Sequence, residues 1–137
     1  MNNLENKNII VTGASGGIGN AIIKTLNEAG ANILASGTRI EKLEELKDNF
    51  KKIKILKFDI SQSDKIEEFI ENATSELGGS LDGIVNNAGI TQDNLAIRMS
   101  LDEWQKVINI NLTSTFLMSK FAIKKMLKNK SGKIVNI

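Results

Sequence analysis

The sequence predicts an α/β protein: one doubly wound parallel sheet with helices on both faces, breaking off after a fifth strand. Three observations predict it. Short apolar runs alternate with amphipathic segments along all 137 residues. The amphipathic segments are mostly about 10–15 residues long, the length of the crossover that joins neighbouring parallel strands. A glycine-rich turn stands between the first apolar run and the first amphipathic segment. Crossovers of this kind wind right-handedly and cover a sheet from both sides.

The first strand is "NIIVTG" (8–13), and "IGNAIIKTLNEAG" (18–30) follows as a helix with Ile18, Ile22, Leu26 and Ala29 as its core stripe and Gly30 as its stop. "NILAS" (32–36) is the second strand. Thr38 and Glu41 have the spacing of a capping box for a helix through Leu43, Leu46 and Phe50. "KIKILKF" (52–58) alternates with period two, as a third strand does. Ile66, Phe69, Ile70, Ala73 and Leu77 form the stripe of the next helix, with acids opposite. "LDGIVNN" (81–87) is the fourth strand. Ser100 and Glu103 cap a helix that carries Trp104, Val107 and Ile108 and runs on, with a break, through Phe116, Phe121 and Met126. "GKIVNI" (132–137) reads as the fifth strand. No internal repeat or linker interrupts the series, so residues 1–137 form a single incomplete domain.

Composition narrows the chemistry. The net charge is +2 and 41% of residues are hydrophobic, ordinary values for a globular protein. The segment MNNLENKN lacks the apolar core of a secretory signal, and no run is long enough for a membrane span. With no cysteine there are no disulfides or thiolate metal sites. A cytoplasmic location is the simplest expectation. Histidine and tyrosine are also absent, which removes the usual neutral-pH acid/base and the phenolic proton donor. The clusters Glu41/Glu44/Glu45 and Glu67/Glu68/Glu71 read as solvated helix faces, and no metal is expected.

"TGASGGIG" (12–19) sits where the first strand meets the first helix. Gly13 permits a tight turn. Gly17 and Gly19, lacking Cβ atoms, allow close approach of a pyrophosphate and of the helix to the strand. The free N–H groups and dipole at that helix start favour phosphate. The alternative is a tight connection and nothing more. A site for NAD places an acid about 20 residues further on, to hold the ribose 2′-hydroxyl. Here "SGTR" (36–39) has no acid and ends in Arg39, which suits a 2′-phosphate and so NADP(H). A solvated arginine in the first turn of the second helix is the alternative.

At this point the chain resembles the short-chain dehydrogenase/reductase family. Four features carry the resemblance: "TGASGGIG", "FDI" (58–60), "NNAG" (86–89) and Asn111 within "VININ". The resemblance implies an NAD(P)-binding Rossmann fold with strand order 3-2-1-4-5 over the strands present. It implies cofactor contacts from Thr12, Gly13, Ser15, Gly17, Ile18 and Gly19 in the glycine turn, and from Thr38 and Arg39 beyond the second strand. Asp59 and Ile60 belong with the adenine, Asn87, Ala88 and Gly89 with a cofactor ribose, and Asn111 with a catalytic tetrad. Taken singly, Asp59 reads equally as a turn residue and Asn87 as a turn cap.

"NNAGITQDNLAIRMSLDEWQKVI" (86–108) is similar, more narrowly, to bacterial 3-oxoacyl-[acyl-carrier-protein] reductases. That similarity implies NADPH-dependent reduction of a 3-oxoacyl thioester in fatty-acid synthesis. Many of those reductases have an arginine where this chain has Gly16, which throws phosphate binding more heavily on Arg39. The family's serine, tyrosine and lysine follow a segment resembling "GKIVNI". The resemblance therefore implies an N-terminal fragment without turnover of its own. A non-catalytic dinucleotide-binding half-domain or assembly partner is the alternative, as is another short-chain carbonyl reductase.

No acid follows Glu103, while Lys106, Lys120, Lys124, Lys125, Lys128, Lys130 and Lys133 do. They read either as lysines complementing a helix C-terminus or, at Lys128 and Lys130 with Lys124, as a contact for an acidic partner, which the resemblance to the reductases implies is the acyl carrier protein. No nucleic-acid module is present. The apolar surface of the helices at 101–111 and 112–129 exceeds what one face needs, and it matches the family's habit of forming homo-oligomers, up to homotetramers, through this pair.

Overall fold

The computed structural model describes residues 3–50 and 52–137. The first two residues of the N-terminal segment discussed above lie outside that range. Five strands form one parallel sheet in the order β3-β2-β1-β4-β5: β1 (Asn8–Val11), β2 (Asn32–Gly37), β3 (Lys54–Lys57), β4 (Gly83–Asn86) and β5 (Lys133–Asn136). The helices are α1 (Gly17–Glu28), α2 (Ile40–Asn49), α3 (Ile66–Glu76), α4 (Leu101–Val107) and α5 (Ser114–Met126).

Alternation along the strands explains the two layers. Ile10 pairs in register with Leu34 and Ile84, and this row faces one way. It packs with Ile66, Phe69, Ile70, Met118 and Ala122 from α3 and α5. The neighbouring positions Ile9 and Val11, with Ile33, Ala35 and Val85, face the other way, onto Ile23 of α1 and Leu43 and Leu46 of α2. Successive side chains on a strand point to opposite faces, so a strand covered on both sides needs an unbroken apolar run. β1 and β4 are buried at every position. The Phe58 and Phe69 rings stack with centroids 4.5 Å apart beside the first layer.

Two local expectations need correction. The buried face of α1 centres on Gly19 and Ile23, with Ile22 and Leu26 half-buried, while Ile18 is 63% exposed. The cause is Gly19: a Cβ there would stand 2.7 Å from Ala14 Cα, so this row, not the row of Ile18, lies against the first turn. Thr38 does not cap α2. The N-cap is Arg39, with no side-chain hydrogen bond, because α2 starts at Ile40 to turn Leu43 and Leu46 inward.

The capping box at Ser100 is present. Ser100 N–H donates to Glu103 Oε2 at 2.7 Å and Glu103 N–H to Ser100 Oγ at 3.1 Å. Gly30, with φ +89, follows the end of α1 as expected. The break in the long helix is a π segment, Ile108–Thr113, between α4 and α5. Ion pairs Lys124–Glu67 and Lys125–Glu71 bind α5 to α3. No helix among the described residues is long and apolar enough to cross a membrane.

Candidate functional site

The chain leaves β1 to one side for β2 and β3, then returns to its other side with β4. Loops after β1 and β4 therefore part at the carboxyl end of the sheet, where a doubly wound fold opens a crevice. A cleft of about 420 Å³ occupies this place, lined by the glycine turn, the ends of β2 and β4, and residues 58–60.

Thr12 holds the crevice together. Its buried Oγ1 accepts from the N–H groups of Asn87 and Ala88, both at 3.1 Å, and donates to Val85 O at 3.4 Å. Asn87 Nδ2 donates to Gly13 O at 3.0 Å, so the two loops are cross-tied. Gly13 has φ +61, and a Cβ on it would come within 2.8 Å of Ala88 Cα. Only glycine fits there.

Gly16 and Gly17 are different. A Cβ on Gly16 would meet nothing nearer than Gly13 O at 3.8 Å, and one on Gly17 nothing within 4 Å. No side chain caps α1, so the N–H groups of its first turn are open to a ligand. Bare backbone, open space and the positive end of a 12-residue helix suit a pyrophosphate.

Ser15, Ile18, Thr38 and Arg39 also line the cleft. Arg39 Nη2 donates to Ser15 O at 3.3 Å, which lays the guanidinium along the outer wall. Asp59 and Ile60 close the far side; Asp59 Oδ1 accepts from Ser61 N–H at 2.9 Å, so its turn role and its place on the wall coexist. Asn87, Ala88 and Gly89 form the opposite lip, with Ile110 from the π segment. Asn111 stands next to that lip, its side chain bonded to the backbone of Ile90.

Lys128 and Lys130 are elsewhere. They lie in and just after the 3-10 turn Leu127–Asn129, where Asn129 Nδ2 donates to Leu81 O ahead of β4. This is the amino end of the sheet, opposite the cleft. Among the described residues no group of three or more carboxylates is placed to hold a metal.

Sequence reasoning missed several contributors. Ser36 and Gly37 line the cleft because small residues end β2; a Cβ on Gly37 would press on Ser15 Oγ at 3.0 Å. Ser114 Oγ lies 2.7 Å from Ile60 O and 2.9 Å from Asn109 O, joining the π segment to the wall formed by Asp59 and Ile60. The small pair Ser36–Gly37 was a readable signal; the reach of Ser114 across 54 residues was not.

A glycine turn at a helix start, a switch-point crevice and a parallel sheet in this order define a Rossmann-type dinucleotide fold. The family profile described as short chain dehydrogenase matches residues 7–137, and the chain belongs to that family. It is 41% identical over 141 residues to a 3-oxoacyl-[acyl-carrier-protein] reductase FabG of Rickettsia conorii, with all of this chain and 55% of that protein aligned. Nodulation protein G of a Rhizobium species is 39% identical over 138 residues, covering 100% of this chain and 56% of that protein. The crystal structure of a short-chain type dehydrogenase/reductase from Mycobacterium marinum superimposes with a TM-score of 0.91 at 29% identity, over 98% of this chain and 56% of that one. The chain thus spans about half the length of the curated relatives it matches.

Proposed function

We propose that residues 1–137 are the first part of a dinucleotide-binding domain whose cofactor is NADP(H), belonging to a reductase of 3-oxoacyl groups carried on acyl carrier protein. The observation that carries the cofactor reading is the bare Gly16–Gly17 stretch at the start of α1, with Arg39, the N-cap of α2, beside it on the cleft wall. Gly13, Ser15, Gly17, Ile18 and Gly19 hold the pyrophosphate, with Thr12 fixing their turn. Thr38 and Arg39 take the adenosine ribose and its 2′-phosphate, Asp59 and Ile60 the adenine, and Asn87, Ala88 and Gly89 the second ribose. The substrate reading rests on the names of the relatives.

When bound, the cofactor supplies a hydride to a carbonyl carbon. This chain's residues bind and orient it, and Asn111 positions the lip beside the nicotinamide end. Reduction also needs a proton donor at the developing alkoxide. The chain has neither tyrosine nor histidine, so it binds the dinucleotide without turning over. An acidic carrier would meet Lys128 and Lys130 at the far end of the sheet, with an affinity that falls as salt rises.

Fluorescence titration with NADPH tests the first half of this reading. Saturable binding is the expected result, and no binding at millimolar NADPH would end it. Incubation with NADPH and an acetoacetyl thioester tests the second: enzymatic turnover by these 137 residues would overturn the division of labour.

A further inference from the structure

Outside the wall formed by Arg39 lies a second hollow of about 320 Å³. It shares Ser15, Gly16, Gly17 and Arg39 with the main cleft, and Asn20, Lys42 and Glu45 extend it. Arg39 therefore lines both spaces, and Lys42 is the other cation among the residues lining the outer one.

Arg39 is the N-cap of α2 and Lys42 lies three residues on, so both project from the same side of the helix. Lys42 Nζ is 3.5 Å from Glu45 Oε2, with 44% and 63% of the two side chains exposed. An exposed i,i+3 pair of this length is weak and readily exchanged. A phosphate dianion brings more charge and three acceptor oxygens, and it would displace the carboxylate as the lysine's partner. Gly16 and Gly17 line both spaces and put no Cβ into either.

We infer that Lys42 is a second cation for the cofactor's 2′-phosphate, exchanged from Glu45 on binding, and that this pair sets the preference for NADPH over NADH. The inference rests on the dinucleotide reading above and adds a specificity determinant to it. Glu45 has the opposite effect: it shares the hollow, repels the phosphate and occupies Lys42 while the site is free.

The test is the ratio of NADH to NADPH dissociation constants, measured by fluorescence for the 137-residue chain and its variants. K42Q should lower that ratio about fivefold while NADH binding stays within about twofold; K42R should keep it, and E45Q should raise it about threefold. These changes should shrink at about 1 M salt, where charges are screened beyond roughly 3 Å. Both residues are exposed, so the variants should fold as the parent does. An unchanged ratio in K42Q, or equal weakening of both cofactors, would overturn the role of Lys42. Failure of the parent chain to bind either cofactor is a different result: the dinucleotide reading falls and takes this one with it.

Discussion

The side-chain amide of Asn111 is bonded at both ends to one peptide backbone: Oδ1 accepts from Ile90 N–H at 2.8 Å and Nδ2 donates to Ile90 O at 2.8 Å. Two bonds of opposite polarity fix both position and orientation. They clamp the loop after β4 to the π segment, whose extra backbone room turns Asn111 towards that loop. The carbonyl of Asn111 is itself held, accepting from Thr115 Oγ1 at 2.7 Å. N111L keeps the bulk and removes both bonds. It should cost about 1 kcal/mol and speed exchange of the Ile90 amide about fivefold, readable by hydrogen exchange. Unchanged protection at Ile90 would show that the clamp does not hold the loop.

Thr12 makes the equivalent tie across the floor of the crevice, but deep inside. T12V leaves the half-buried N–H groups of Asn87 and Ala88 without their acceptor. Losing about 2 kcal/mol is the expectation, against under about 1 kcal/mol for T12S, which keeps the hydroxyl. Urea denaturation of the two variants measures the difference. A larger loss in T12S than in T12V would assign the effect to packing of the methyl group.

Much of this arrangement was legible in the residues. β1 and β4 are central and covered on both faces, so their sequences had to be unbroken apolar runs. The glycine turn had to follow β1, because only residues without Cβ atoms fit beside Ala88 and Ala14. Pairings across space were not legible. Nothing in "VININ" says that Asn111 will meet Ile90, since the contact depends on how a π segment rotates one residue. The misplaced cap at Thr38 has a similar origin: its spacing to Glu41 is right, but the inward turn of Leu43 and Leu46 set the helix start.

The glycines separate stability from binding. Gly17 faces open space at the first position of α1, so G17A should keep or slightly raise stability, by up to about 1 kcal/mol, through its better helix propensity. On the proposed cofactor reading its methyl group would stand in the pyrophosphate's place, and NADPH binding should weaken at least about fivefold. G19A should do the reverse, forcing a Cβ against Ala14 and costing about 1–3 kcal/mol before binding is considered. Thermal melts with and without NADPH separate the two. If G17A bound NADPH as the parent does, the pyrophosphate would lie elsewhere.

Acid should loosen α4 early. The Ser100 backbone N–H, donating to Glu103, holds that carboxyl below the usual carboxylate range; burial opposes the shift, and the Ser100 and Asn94 side chains add to it. A folded-state value below the unfolded one favours the ionised form. The stabilisation is therefore complete above the unfolded value of about 4.3 and is lost as pH falls through the folded one. Helicity around Trp104, followed by its fluorescence, should decline from about pH 5 downwards in the parent and be flat in E103Q. A matching decline in E103Q would place the acid sensitivity in another carboxylate, with Glu71, lowered chiefly by its bond to Lys125, the next to test.

Surface area predicts how the chain behaves in solution. Its accessible surface is 8425 Å², where a compact 15.0 kDa monomer exposes about 7000 Å². Two regions supply apolar excess. On the π segment and α5, Leu112 and Phe116 are 63% and 62% exposed, beside Trp104 of α4. At the sheet edge, β5 pairs among the described residues with β4 alone, and Val135 and Ile137 are exposed. An apolar patch of this kind associates, and so does an open strand edge, but they do so differently. The helical face buries side chains and should give a defined dimer or tetramer; the edge extends a sheet and gives species without a closed size. Sedimentation velocity of F116D and V135K should resolve them. We expect F116D to yield monomer at micromolar concentration and V135K to leave the oligomer intact. If V135K alone restores monomer, association runs through the strand edge, and the helices at 101–126 are exposed for some other partner.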